Sequence, residues 1–243
     1  MAGERMRVHR ALALAGVASR RAAEGLVLEG RVSVNGTTAT VGQQVGPDDR
    51  ITVDGQDVRG AEPLRAYLLH KPAGMVSTAS DPQGRATVLD DMPDAVRLYP
   101  VGRLDIETTG AILLTNDGEM AARLMHPSSK APKTYEALLR GRVSADTVRR
   151  LRRGVELEDG MTAPASVEQM DRRAAGGTWL RIEITEGRNR QLRRMGEAVG
   201  HRVMRLHRVR YAGIGLQGLA PGRWRPITRS EWTRLGASVG LER

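Results

Sequence analysis

The apolar positions change period several times along the chain, and each change marks an element. Over 7–15 they fall at helical spacing, and Gly16 stops the run. Ser19 suits the N-cap of a second helix over 20–29, in which Ala22, Leu26 and Val27 share one face and Gly30 ends the pattern. The period then drops to two. Residues 31–36 alternate as a strand that turns at Asn35-Gly36, and 45–53 read as another strand. Residues 55–65 carry Gly55, Gly60 and Pro63 among polar neighbours and read as a linker. The pattern predicts a small domain over 1–60 and a larger one over 64–243.

In the larger domain an apolar strand over 66–70 is broken by Lys71-Pro72-Ala73-Gly74, and 75–78 can resume it. Residues 88–92 make a short turn or helix. A buried strand over 111–115 ends in Asn116-Asp117-Gly118, turn chemistry that also caps a helix over 119–125, closed by Pro127. Tyr135 opens a strand over 135–139, and Ser144 caps a helix over 145–153 that carries Arg149, Arg150, Arg152 and Arg153. Strand patterns follow over 155–157, 166–170 and 178–185, the last two joined at Gly176-Gly177. A helix is predicted over 189–199 with Gly200 as its stop, then strands over 201–211 and 222–228. Thr228 and Glu231 have the spacing of a capping box for a terminal helix. The fold class is α+β: a small domain with a helix pair and short strands, then a mixed, mainly antiparallel sheet with a central cleft.

Composition narrows the function. With no Phe and 3% aromatic residues, the core must be aliphatic. The formal net charge of +10 creates a field that attracts polyanions. Lys occurs only at positions 71, 130 and 133, so thirty-five of the thirty-eight basic residues are arginine. Arginine grips phosphates bidentately and stacks on bases. The absence of Cys excludes disulfides, Cys-ligated zinc and thiol chemistry, and the five histidines show no metal-ligand spacing. No Walker or dinucleotide fingerprint is present. No apolar run reaches membrane-spanning length and the N-terminus lacks a secretory pattern, which points to the cytoplasm and to no membrane partner.

Three segments carry candidate chemistry. The first is a polar loop over 102–109, bounded by glycine, with Asp105 behind Arg103 and set against the buried strand. Taken alone, Asp105 suits an Asx-turn or a cap. The second is Lys133-Thr134-Tyr135, where a tyrosine at the start of a strand ordinarily packs in the core. The third runs Glu186-Gly-Arg-Asn-Arg-Gln-Leu-Arg-Arg-Met195. Between residues 181 and 210 nine Arg face three Glu, a density that suits an anionic ligand. Arg188, Asn189 and Arg190 load the predicted helix N-terminus, a natural phosphate site.

Gly102-Arg103-Leu104-Asp105, the following Thr108-Thr109-Gly110, and the strand ending Thr115-Asn116-Asp117-Gly118 resemble the signature of the RsuA/RluB family of ribosomal RNA pseudouridine synthases. Ala111 departs from the pattern, standing where leucine is usual. The Lys-Thr-Tyr and Glu-Gly-Arg-Asn-Arg segments are similar to the family's second and third motifs. The resemblance implies isomerisation of uridine to pseudouridine in folded RNA with no nucleotide or other cofactor, energy donor or metal, which fits the absence of Walker and dinucleotide fingerprints. It makes Asp105 the catalytic carboxylate, Tyr135 the ring packed on the target base, Arg193 the partner of Asp105, and Leu192 a support beneath the base. Arg103 is a further substrate contact. Residues 6–54, with Gly-Val-Ala-Ser-Arg-Arg-Ala-Ala-Glu and Gly-Arg-Val-Ser-Val-Asn-Gly, are similar to the S4 RNA-binding domain. That similarity implies RNA contacts from Arg20, Arg21 and Arg31. The third motif looks more like the large-subunit branch, so 23S rRNA is the expected substrate and 16S rRNA the alternative. Ribosomal RNA is the expected partner and a monomer the expected state. Two other readings remain open on the residues alone, a non-catalytic RNA-binding protein of ribosome assembly and a DNA-binding regulator.

Overall fold

The structure is a computed structural model that describes residues 5–93 and 96–241. The first four residues of the 1–60 domain, and residues 94, 95, 242 and 243 of the 64–243 domain, lie outside the described residues. The chain divides into two compact units, Met1–Leu64 with Asp94–Arg97, and Arg65–Pro93 with Leu98–Arg243.

In the first unit β1 (Met6–Arg7) runs into α1 (Val8–Leu14), followed by α2 (Arg20–Leu28). Ser19 accepts a hydrogen bond from the Ala22 N–H at 3.1 Å and caps α2. The short strands are β2 (Val32–Val34), β3 (Thr37–Thr38), β4 (Gln44–Val45), β5 (Ile51–Val53) and β6 (Gln56–Asp57). Val8, Leu12, Ala23, Val27 and Val32 bury the helix pair against this layer. The strand expected over 45–53 is two strands in two sheets: β4 pairs with β1, whereas β5 pairs with β2 and β6. Gly46 and Pro47 break it, and the Asp49 carboxylate accepts from the Gly46 N–H at 2.7 Å to close the turn. The linker read from Gly55 begins later, because Gln56–Asp57 still pair with β5.

The second unit contains β7 (Ala66–Lys71), β8 (Tyr99–Val101), β9 (Thr109–Thr115), α3 (Gly118–Met125), β10 (Lys133–Arg140) and α4 (Ala145–Arg153). It continues with β11 (Glu156–Leu157), β12 (Gly160–Met161), β13 (Ser166–Gln169), β14 (Gly177–Ile184), α5 (Gln191–Ala198), β15 (Val203–Tyr211), β16 (Ile214–Gly215), β17 (Trp224–Pro226) and α6 (Arg229–Ser238). Among the described residues, nine strands form one sheet in the order β13-β14-β10-β15-β9-β7-β17, with β16 on β15 and β8 on β9. Among the described strand pairs of this sheet only β15–β9 is parallel, so the sheet is mixed and mainly antiparallel. Residues 75–78 form no strand; Val76 makes a single bridge to Thr87.

Strand β9 holds the centre. Its residues from Gly110 to Thr115 are all buried: α3 and α6 pack with Ala111 and Leu113 on one face, and Ile112 and Leu114 on the other face are buried as well. A continuous apolar run, rather than an alternating one, is what burial on both faces requires. Asp117 Oδ1 accepts from the Glu119 and Met120 N–H groups at 3.1 and 3.0 Å and starts α3. Gly110 is required where β9 meets β15: its φ is +113°, and a Cβ there would sit 2.2 Å from the Arg208 carbonyl oxygen. The polar loop over 102–108 therefore enters the sheet at a fixed point, beside β15.

Candidate active site

The loop that carries Asp105 is tied down from beneath. Lys71 ends β7, is fully buried, and donates to the carbonyls of Pro72, Ile106 and Thr108 at 3.0, 3.1 and 2.9 Å. The Gly74 N–H also donates to Ile106 O at 2.9 Å. Ser77 Oγ donates to Leu104 O at 2.9 Å and accepts from Leu104 N–H at 3.1 Å. A turn closes where Thr108 N–H donates to Asp105 O at 2.9 Å. Burial pulls the Lys71 ammonium down from 10.5 to about 8, against the opposing pull of Glu107 and Asp105.

Above this base the Asp105 carboxylate, 31% exposed, opens into a cleft of about 1250 Å³. Its Oδ2 lies 3.6 Å from Arg193 Nε and 3.6 Å from Arg190 Nη1. Arg193 is steadied by donating from Nη1 to Val203 O at 3.2 Å, while its Nε is buried without a hydrogen-bond partner. Tyr135, Leu192, Arg103, Arg188, Asn189 and Arg190 line the same cleft. Leu192 is 4% exposed and supplies an apolar floor.

The sequence-predicted residues do not all stand alike. Arg103 and Asn189 are exposed at the cleft. Arg188 is engaged inside the protein, donating to Asp159 O, Gly160 O and Met161 O at 3.2, 2.8 and 2.6 Å. Helix α5 starts at Gln191 rather than at 189, because Arg190 adopts a left-handed φ of 47° that no helix continues. Arg188, Asn189 and Arg190 thus belong to the preceding loop. In the first unit Arg20 and Arg21 are exposed on α2. Arg31 is held by Asp54 at 2.9 and 2.6 Å and by Glu29 at 3.3 Å.

Arg208, Lys133 and Tyr211 also line the cleft; the sequence reading gave none of them a site role, although Lys133 stands in the second candidate segment. Arg208 is 2% exposed. Its Nε donates to Ala111 O at 2.6 Å, and its Nη1 lies 3.5 Å from the Tyr135 hydroxyl. The guanidinium sits 4.8 Å from the Tyr211 ring centroid. Burial pushes the Tyr211 phenol up to about 12, with Arg208 pulling the other way. Burial also lowers the Lys133 ammonium, with Arg208 as the next cause. Among the described residues, three buried side-chain atoms lack a hydrogen-bond partner: Thr108 Oγ1, Arg193 Nε and Arg208 Nη2. Thr108 and Arg208 line the cleft and Arg193 faces its carboxylate, so the unpartnered buried side-chain atoms of the described residues are gathered at one place.

The sequence profile described as RNA pseudouridylate synthase matches residues 65–198, and the profile of the S4 domain matches residues 6–51. The ribosomal large subunit pseudouridine synthase B of Bacillus subtilis is 46% identical over 237 residues, covering 95% of this chain and 96% of that protein. The protein of the same name from Salmonella typhimurium is 41% identical over 246 residues, covering 97% of this chain and 84% of that protein. A solved structure described as a pseudouridylate synthase superposes with a TM-score of 0.68 at 30% identity, over 95% of this chain and 99% of that one. With an S4 domain ahead of a mixed sheet whose cleft sets one aspartate against two arginines, the chain belongs to the RNA pseudouridylate synthase family.

Proposed function

We propose that this protein isomerises a specific uridine to pseudouridine in 23S ribosomal RNA. The observation that carries the reading is the Asp105 carboxylate, 3.6 Å from two guanidinium groups in a cleft that Tyr135 and Leu192 also line. The large-subunit assignment rests on the names of the relatives. In this reading the target nucleotide leaves its stack, at a cost of a few kcal/mol, and Tyr135 and Leu192 receive the base. Asp105 then faces the nucleotide, and acts on C1′, on the base or through a glycal route. Arg193 fixes the direction in which the carboxylate points, and Lys71 fixes the height of its loop. Arg190 and Asn189 meet phosphates at the mouth, with Arg103.

The S4 unit grips RNA through Arg20 and Arg21 in this account. Every residue assigned to the chemistry comes from the second unit of one chain, which supports action as a monomer. The protein works in the cytoplasm, where its substrate is made. Among the described residues no helix is long and apolar enough to cross a membrane.

The test is to map pseudouridines in both ribosomal RNAs from a strain lacking this gene, then restore it. One 23S position should become uridine and return on complementation. Loss of a 16S position instead moves the substrate to the small subunit. No change in either RNA leaves a non-catalytic RNA-binding protein.

A further inference from the structure

We propose that Arg208 sets the polarity of the Tyr135 hydroxyl, so that the phenol donates a hydrogen bond to the uracil ring while that ring carries negative charge. The inference rests on the pseudouridine synthase reading and adds to it a group behind the cleft wall.

The starting point is a cation with no counter-ion among the described residues. Arg208 is buried, and its partners are the Ala111 carbonyl, the Tyr135 phenol and the rings of Tyr135 and Tyr211. None of these is an anion. A buried guanidinium in that setting costs several kcal/mol relative to an apolar side chain of the same length. Packing alone does not explain it, because Met or Leu would fill the same space without that cost. A bulge lies between Thr134 and Tyr135 in the pairing of β10 with β15, and it brings Tyr135 opposite Arg208.

The direction of the hydrogen bonds follows from donor counting. A guanidinium only donates, so Nη1 occupies a lone pair of the Tyr135 oxygen. The phenol proton is then free to point elsewhere, and Tyr135 lines the cleft. The chemistry supplies what that proton meets. When the N1–C1′ bond breaks, its electron pair stays on the ring and spreads over N1, O2 and O4. The ring turns, C5 bonds to C1′, the proton on C5 leaves, and N1 takes up a proton. Atoms and charge balance with no co-reactant. While the ring is detached it is an anion over an apolar floor, where Leu192 offers it nothing polar. A phenol donor backed by a buried cation stabilises that state more than the neutral uridine before it. Arg208 is therefore a positioning residue, acting through Tyr135.

The experiment compares Arg208→Met, Arg208→Lys, Tyr135→Phe and the double variant Arg208→Met/Tyr135→Phe in single-turnover assays. Two RNAs are used, one with uridine and one with 5-fluorouridine at the target position; the fluorinated ring carries negative charge more easily by itself. Arg208→Met is expected to slow consumption of uridine about 100-fold with RNA affinity changed less than about threefold. Arg208→Lys should recover about tenfold of that loss, because the charge returns without the fork. On the 5-fluorouridine RNA the Arg208→Met loss should shrink to about tenfold. In the double variant the two losses should not multiply. The inference is overturned if both RNAs suffer equally, if the losses multiply, or if Arg208→Met keeps the normal rate and only lowers the melting temperature. Should Arg208→Met not fold, the Tyr135→Phe loss decides, since it must also shrink on the fluorinated RNA. If the unaltered protein consumes neither RNA, the synthase reading falls and this inference with it. If it consumes both and the variants match it, only this inference falls.

Discussion

Helix α6 begins on a complete capping box: the Glu231 N–H donates to Thr228 Oγ1 at 3.2 Å, and the Thr228 N–H donates to Glu231 Oε2 at 2.9 Å. Glu231 is also clasped by Arg225 through two bonds of 2.7 Å. Helix α5 begins on Arg190, which is left-handed and caps nothing with its side chain. Arg194 is paired with Asp159 at 2.9 and 3.0 Å, but Arg190 and Arg193 approach Asp105 no closer than 3.6 Å, and the Arg193 Nε is buried without a hydrogen-bond partner. The same residue types thus serve two ends. At α6 they satisfy one another and hold the fold. Beside Asp105, Arg190 and Arg193 are left incomplete. A missing cap by itself is not the signal, since α1 also lacks a side-chain cap. The signal is the coincidence of strain, orphaned donors and a cleft.

The comparison can be broken by exchanging the properties of the two regions. Arg193→Ala removes a donor aimed at the carboxylate and should lower turnover about 100-fold while changing RNA affinity less than about threefold. Equal losses in both would make Arg193 a phosphate clamp. Lys71 gives a pH-dependent version. As pH rises through about 8 its ammonium becomes an amine with two N–H groups for three carbonyls. Turnover should fall about tenfold from this loosening of the Asp105 loop. Because the folded protein binds this proton less tightly than the unfolded chain, the same group adds stability between about 8 and 10.5. Activity and melting temperature should therefore diverge in that window, and parallel loss of both would refute the assignment. Arg190→Gly relieves the left-handed backbone and should raise stability by about 0.5 kcal/mol while costing about threefold in turnover. Thr228→Ala should do the reverse, costing about 1 kcal/mol by denaturant titration with turnover unchanged.

Elements whose cause is local could be read directly. Ser19, Asp117, Ser144 and Thr228 each cap the helix they were expected to cap, because a cap depends on residues within one turn. The buried strand after Gly110 was equally plain from its apolar run. What escaped depends on distant partners. Lys71 sits before Pro72 and reads as part of a turn; its burial is set by carbonyls at 106 and 108. Arg208 was hidden by the bulge opposite it, since inward residues of β15 fall at 203, 206, 208 and 211 and keep no period of two. The start of α5 was misplaced because nothing in the sequence marks a left-handed arginine. The geometry does gather Asp105, Tyr135, Leu192, Arg190 and Arg193 at one cleft, although 105 and 193 are far apart in the chain.

The central claim is that the carboxylate of Asp105, held beside Arg193, changes a uridine rather than merely helping to hold RNA. It is tested by tritium release from 23S rRNA carrying 5-tritiated uridine, comparing the unaltered protein with Asp105→Asn. The account predicts release by the former, a loss of about 10⁴-fold or more in the latter, and RNA affinity within about threefold of the original. Undiminished release by Asp105→Asn would contradict it.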